Sequence, residues 1–499
     1  MKVISPVSVR SILKSCRISL DCLTSATRVD YLQRYLNGLD VATAVIEQEY
    51  VDKDYLEDYA SYYSRCFVDY PRKCIRVHFF NMSYAEKDIQ SVVTSTDEEK
   101  RSAFAETYLG FVVFRPLYGA IIGRTCLIPY AELNTGRHYL ALKDVEVSFW
   151  GLRLKIKCMP FQEQDSMVAA CATCAIWSVT QVTASLFHHA AYPPSYITTV
   201  ATEHGLSNAR CYPNTNGLRV EDMVYALRNI GLDPLCLNVA GETSETFKVL
   251  LGNIYAYLSA GIPLIVVGRL TSKNKSGRHR MHAVAINGFH LDDTSIEVTR
   301  EQRLTATRID KLYAHDDQLG PYARIVWSGD GEPGWITQWP DQEMEGEYLR
   351  IEPVWLIVPL YRKIRASYED VWKSAYFYEF LLKRICKKEI AFDLEWDIRL
   401  LTCNSFKEEI VRSGELTGEQ LMSVLECDLP RYLWCMTIMR SQEKLAVFCV
   451  DTTDAGVGLN VALALFFSDE FESEARCAIN GSHVRSQILL DPLCKATAQ

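Results

Sequence analysis

Residues 161–187, FQEQDSMVAACATCAIWSVTQVTASLF, decide how this chain is read. Ala172, Ala175, Ile176, Val179, Val182, Leu186 and Phe187 recur at steps of three and four, the spacing of one helical face. The pattern predicts a buried helix with Cys171 in its first turn. Unpaired backbone N–H groups and the positive end of the helix dipole favour an anion there. A thiol in such a place is a usable nucleophile. Gln164, seven residues upstream, supplies an amide donor that can face the same spot. A cysteine in an alanine-rich helix is as often plain packing, so the stretch needs support from elsewhere in the chain.

Composition narrows the field. At 499 residues the chain is too long for one core, and two or three domains are expected. A net charge of −9 and a pI near 5.7 argue against a general nucleic-acid binder. The 17 cysteines are scattered, odd in number and without a regular framework, which reads as reduced thiols in a cytosol rather than a disulfide scaffold. The N-terminus lacks an apolar core of signal-peptide length. No window approaches the ~20 apolar residues of a membrane span. The expectation is a cytoplasmic protein with no membrane or nucleic-acid partner.

Working outward, residues 1–155 read as an α+β domain, helical over the first ~70 residues and strand-rich at its end. KCIRVHFF and TYLGFVVFRPL are its clearest strands. Arg115 and Arg124 lie beside apolar strands, where a salt-bridged arginine is commoner than a binding one. Residues 156–366 change character: three helical patterns, ended by Gly231 or by Gly261 and Pro263, precede the strands LIVVGRL and MHAVAINGFH. That order predicts helices on an antiparallel sheet, an α+β layout. The basic turn TSKNKSGRHR reads as a hairpin loop and WSGDGEPGWITQWPDQEMEGEY as loop-rich. Residues 367–499 open with a long helix over 368–388 and continue as a small α/β unit with a regulatory or recognition role. No repeat, phosphate loop or dinucleotide fingerprint appears.

Acyl transfer by a thiol needs a nucleophile, a base, a group that fixes the base, and donors for the oxyanion. RMHAVAINGFH places His282 at the start of an apolar strand, and YAHDDQLGPYAR places Asp316 at the end of the next. Taken singly, His282 is a core histidine, Asp316 or Asp317 a turn, and Gln164 a surface residue. Their joint order Gln, Cys, His, Asp at helix and strand edges is what points to chemistry.

With these residues in view, the chain resembles the papain-like cysteine peptidases, and more closely their bacterial C39-like branch. His282, Val284, Ile286 and Gly288 match that branch's H-x-V-x-I-x-G strand. The resemblance covers roughly 200 residues. It implies a papain-like helix-plus-sheet core flanked by two further domains. It also implies Cys171 as nucleophile, His282 as base, Asp316 as orienting group and Gln164 as oxyanion donor, with no cofactor and no metal. Ala170 and Ala172 flank the cysteine where the family commonly has Asp and Gly. Cys174 competes with Cys171, and Asp317 with Asp316. The expected function is an intracellular cysteine peptidase acting on a protein or peptide substrate, with a regulatory protein as a further partner. A deamidase or acyltransferase keeps the same triad. A zinc-stabilised binding module would instead use Cys171, Cys174, His188, His189, His204 and Cys211.

Overall fold

The structure, a computed structural model, describes residues 2–18, 26–132, 135–165, 167–203, 217–241, 244–272, 280–292, 302–327, 334–341, 344, 346–385, 394–453 and 461–480. It is a mixed α+β protein. The chain opens with β1 (Lys2–Ile4), α1 (Val9–Ser15), α2 (Ala26–Gly38), β2 (Thr43–Tyr50), α3 (Lys53–Ser61) and β3 (Cys74–Phe80). Next come α4 (Glu86–Val93), α5 (Glu98–Glu106), β4 (Tyr108–Phe114), β5 (Ile122–Leu127), β6 (Arg137–Tyr139), β7 (Lys143–Phe149) and β8 (Leu152–Cys158). Strands β1 to β5 form one antiparallel sheet in sequence order.

β2 corrects the helical reading of the first ~70 residues. Its run Thr43, Ala44, Val45 and Ile46 is wholly buried, and it pairs with β1 on one side and β3 on the other. Two ladder partners and β-branched side chains outweigh the three- and four-residue spacing of neighbouring apolar residues. β8 shows the plainer rule: LRLKIKC alternates buried and exposed along its whole length.

The middle of the chain carries α6 (Cys171–Phe187), α7 (Pro194–Thr202), α8 (Val220–Ile230), β9 (Leu235–Asn238), α9 (Ser244–Ser259), β10 (Leu264–Thr271) and β11 (Arg280–Leu291). β12 (Arg303–Leu304), β13 (Ile309–Asp316), β14 (Gly320–Trp327), β15 (Trp335–Pro340) and β16 (Tyr348–Val358) follow. β15 is a strand inside the stretch expected to be loop, and of the hairpin loop expected over 271–280, residues 273–279 lie outside the described residues. The last elements are α10 (Tyr368–Ile385), β17 (Leu394–Thr402), α11 (Cys403–Ser413), α12 (Gly418–Glu426), β18 (Tyr432–Arg440), β19 (Glu443–Asp451), β20 (Val461–Phe466) and α13 (Asp469–Asn480).

Two compact units result. One joins Met1–Ala240, Ile262–Phe289 and Lys311–Pro359; the other joins Gly241–Gly261, His290–Asp310 and Leu360–Gln499. In the first, β10, β11, β13, β14, β15 and β16 pair in that order, and β16 pairs back to β10, closing a six-stranded barrel. Closure depends on Gly268, which lies opposite His282 on β11 at a bulge against β16. A Cβ there would stand 2.5 Å from Ile351 Cγ1 and 2.7 Å from the Glu352 carbonyl oxygen. Helices α6, α7 and α8 bury Ile176, Trp177, Ile197, Met223 and Leu227 against Ile265, Ala283, Ala285 and Ile357 of the barrel. In the second unit, β12 pairs parallel with β17, and β17 to β20 pair antiparallel around Phe406, Leu433 and Leu463. That order makes the second unit α+β, where the sequence pattern suggests α/β. Among the described residues no helix is long and apolar enough to cross a membrane.

Candidate active site

The site is built at the N-terminus of α6. Upstream, Asp165 shapes the approach: its Oδ1 accepts the N–H groups of Met167, Val168 and Ala169 at 3.0, 2.8 and 2.8 Å. The Tyr63 hydroxyl donates to its Oδ2 at 2.6 Å. Thr198 on α7 holds the Val168 carbonyl oxygen at 2.6 Å. The chain therefore enters α6 along a fixed path, with Ala170 as a buried N-cap that has no side-chain acceptor. An alanine cap leaves the first-turn N–H groups without the partner a Ser or Asp would supply. Further along, α6 is anchored by fully buried Trp177, whose Nε1 donates to Asp54 Oδ2 at 2.9 Å. Asp54 is also paired with Arg124 at 2.6 Å, so Arg124 has the structural role expected of it. His188, in the left-handed conformation, ends the helix.

Cys171 is the first residue of α6 and is half-buried. Its side chain is near enough to His282 to help raise the imidazole pKa; His282 arrives on β11 and is 5 % exposed. His282 Nε2 lies 3.0 Å from Asp316 Oδ1 at the end of β13 and 3.8 Å from Asp317 Oδ1. With Nε2 engaged by the carboxylate, Nδ1 is the nitrogen left for the sulfur. Burial by itself would lower the His282 pKa. The Asp316 charge and hydrogen bond, the Cys171 side chain and the Asp317 charge together carry it well above its ordinary value. Cys174, one turn further in, is buried, and loss of water pushes its thiol pKa up, with Asp317 and Asp165 adding to the rise. The two cysteines of the CATC run thus occupy different electrostatic surroundings. Another buried histidine offers a contrast. His315 faces the Met159 carbonyl oxygen through Nε2 at 2.9 Å and, among the described residues, pairs with no carboxylate, and burial takes it down to about 4.

Residues from the first 155 positions brace this arrangement. Arg28 on α2 donates to Glu163 Oε2 at 3.1 Å and to Gln318 Oε1 at 2.6 Å. Gln318 in turn donates its backbone N–H to Asp316 Oδ1 at 3.0 Å and its amide to Asp317 Oδ2 at 2.8 Å. Burial pushes the Asp317 carboxyl up to about 6, with the His282 charge opposing the rise. Arg115, only 3 % exposed, donates to the Glu163 carbonyl oxygen at 3.0 Å and lies in the field of Asp165 and Glu163. Burial drives Glu163 up to about 7 against the pull of Arg28 and Arg115. Removing a buried charge while leaving its partners in place typically costs 3–5 kcal/mol. Arg115→Met should accordingly lower stability by about 3 kcal/mol at pH 8. The loss should shrink at pH 5.5, where Glu163 takes a proton; urea midpoints at the two pH values check both parts.

Gln164 lies on the same segment, half-buried, and its side chain makes no hydrogen bond among the described residues. Gln162 is 3 % exposed and its Nε2 is buried without an acceptor, a second unused donor before Cys171. Sequence reasoning assigned Gln162 no role. It also missed Trp339 on β15, whose ring meets His282 edge to face at 5.5 Å. Polarity along WITQW does not alternate, so the strand shows only in its burial, with Trp335 and Thr337 buried and Ile336 and Gln338 partly exposed.

Among the described residues one set of side chains could hold a metal ion: His282, Asp316 and Asp317, with ligand atoms within 4.8 Å of one another. Cys171, Cys174, His188 and His189 form no such set there, and His204 and Cys211 lie outside the described residues. No family model matches the chain, and no curated protein matches it.

Proposed function

We propose that this chain is a papain-like cysteine peptidase of the C39-like kind, with the helix-and-barrel part as its catalytic core and the remainder recognising substrate or regulating access. One observation carries the reading: Cys171 begins α6 within interacting range of His282, and His282 Nε2 is 3.0 Å from Asp316 Oδ1. Cys171 passes its proton to His282 and its sulfur attacks the scissile carbonyl carbon. The oxyanion is received by the first N–H groups of α6 and by Gln164, with Gln162 as the alternative donor. His282 returns the proton to the leaving amine, a thioester forms, and water activated by His282 releases the acid. Asp316 holds the imidazole in place and stabilises its charged form. The substrate is a protein or peptide in the cytoplasm.

The test is to incubate the purified chain with a denatured proteome and map new peptide termini by mass spectrometry. New termini absent from a Cys171→Ala control are expected. Ammonia release or amine incorporation without new termini would move the reading to a deamidase or acyltransferase on the same triad. The absence of both kinds of product would remove the peptidase assignment outright.

The pH dependence has a definite sign. A base whose folded pKa is raised keeps its charged form up to that raised value and loses it as pH climbs through it. Peptide hydrolysis is expected to persist well above 6.5, the ordinary histidine value, and to fall as pH climbs through the raised His282 value. Asp316→Asn removes the charge but keeps an oxygen near Nε2, so its alkaline limb should shift to lower pH. A kcat/KM profile from pH 5 to 10 reads this directly. An alkaline limb unmoved in Asp316→Asn would disconnect Asp316 from His282.

A further inference from the structure

Apart from the cysteine site, the first unit contains a pocket of about 370 Å³ walled by α2, β6, β13, β14 and the segment at Tyr130. Its charged lining is Arg34 from α2, Arg137 from β6 and Arg324 from β14, brought together from distant parts of the sequence. Elsewhere in this unit arginines meet carboxylates: Arg28 with Glu163, Arg76 with Glu47, Arg124 with Asp52 and Asp54. Among the described residues none of these three does. Arg137 gives only a 3.4 Å hydrogen bond to the Ala131 carbonyl oxygen. The chain has 62 acidic against 53 basic residues, so three arginines without an acid between them run against its composition.

Tyrosine rings set how the guanidinium groups lie. Arg137 sits 5.7 Å over the Tyr130 ring and Arg34 5.8 Å over the Tyr31 ring. These contacts hold the two guanidinium groups beside tyrosine rings, and Arg137 spends one N–H on the Ala131 carbonyl oxygen. Burial raises the Tyr130 phenol, while Arg324, Arg137 and Arg34 all act against that rise, which places the three charges around one hydroxyl. Gln338 adds a side-chain amide to the same lining.

We propose that this pocket binds a phosphorylated small molecule, its phosphate oxygens held by Arg34, Arg137 and Arg324 and its remaining part laid against Tyr130. Three guanidinium forks offer more donors than the two oxygens of one carboxylate accept, whereas a phosphate presents three charged oxygens. The volume lies within the ~300–1,000 Å³ of small-molecule pockets.

The test is calorimetric titration of the full chain at low salt with inorganic phosphate and with adenosine 5′-monophosphate. Saturable one-site binding is expected, with a dissociation constant below about 1 mM for the tighter probe. Arg34→Ala and Arg324→Ala, both at exposed positions, should each weaken it about ten-fold or more. Arg10→Ala, an exposed arginine on α1 outside the pocket, should leave it unchanged. Equal affinity for the two probes would mean recognition of phosphate alone. Tighter binding of the nucleotide would mean that the organic part is also held. No saturable binding of either probe up to about 10 mM overturns the proposal. So does binding that survives Arg34→Ala and Arg324→Ala in chains with unchanged circular dichroism. So does equal weakening by Arg10→Ala. Binding is read without hydrolysis, so this outcome is independent of the peptidase reading.

Discussion

Cys171→Ala is expected to lower peptide hydrolysis by about 10⁴–10⁶-fold, the usual cost of removing the nucleophile from a triad. Cys174→Ala is expected to change it only a few-fold. The contrast follows from surroundings rather than from residue type. Cys171 begins α6, is half-buried and lies within interacting range of His282. Cys174 is enclosed, and its thiol is held protonated by burial beside Asp317 and Asp165. Trimming Cys174 to alanine removes one buried sulfur, worth about 1 kcal/mol of packing, and leaves the site's charges in place. Steady-state kinetics on a substrate found in the proteome digest would check both variants. Comparable large losses in the two would mean that the sulfur assignment is wrong.

Asp316→Ala is expected to cost about 10³–10⁴-fold in kcat, and Asp317→Ala about ten-fold or less. Both carboxylates are buried within reach of His282, but they are held differently. Asp316 lies 3.0 Å from Nε2 and also receives the Gln318 backbone N–H. Asp317 lies 3.8 Å away, its Oδ1 has no hydrogen-bond partner, and burial raises its pKa to about 6. An alanine at 316 removes the acceptor that fixes the ring and the charge that sustains the imidazolium. An alanine at 317 removes only a weaker, longer-range part of that field. Equal losses at the two positions would indicate a carboxylate pair acting as a unit.

Legibility of the site in the sequence followed the range of each signal. Helical spacing located α6 with Cys171 at or near its first turn, and strand patterns put His282 near the start of β11 and Asp316 at the end of β13. Each of these depends on neighbours within one element. Closure of the barrel was not legible, because it requires β10 to pair with β16, some 85 residues later. Its one local trace is Gly268, where no side chain fits against Ile351. Gly320 is similar: a Cβ there would stand 2.5 Å from the Tyr31 ring, and that contact crosses most of the first unit's sequence. Residues 1–155 showed no chemistry of their own, yet Arg28, Tyr63 and Arg115 reach the segments that carry Gln318, Asp165 and Glu163. Ion pairs formed across a hundred or more residues leave no periodicity to read. Thr43–Tyr50 was misread because its apolar spacing suits a helix, while its burial is set by two flanking strands.

The most direct measurement is site-resolved alkylation by iodoacetamide at pH 6.5, with each cysteine followed by mass spectrometry in the wild-type chain and in His282→Ala. Cys171 should react at least about 100-fold faster than any other thiol of the native chain, and His282→Ala should abolish that advantage. Cys171 reacting no faster than the remaining thiols, or keeping its advantage without His282, would contradict the pairing from which the proposed chemistry follows.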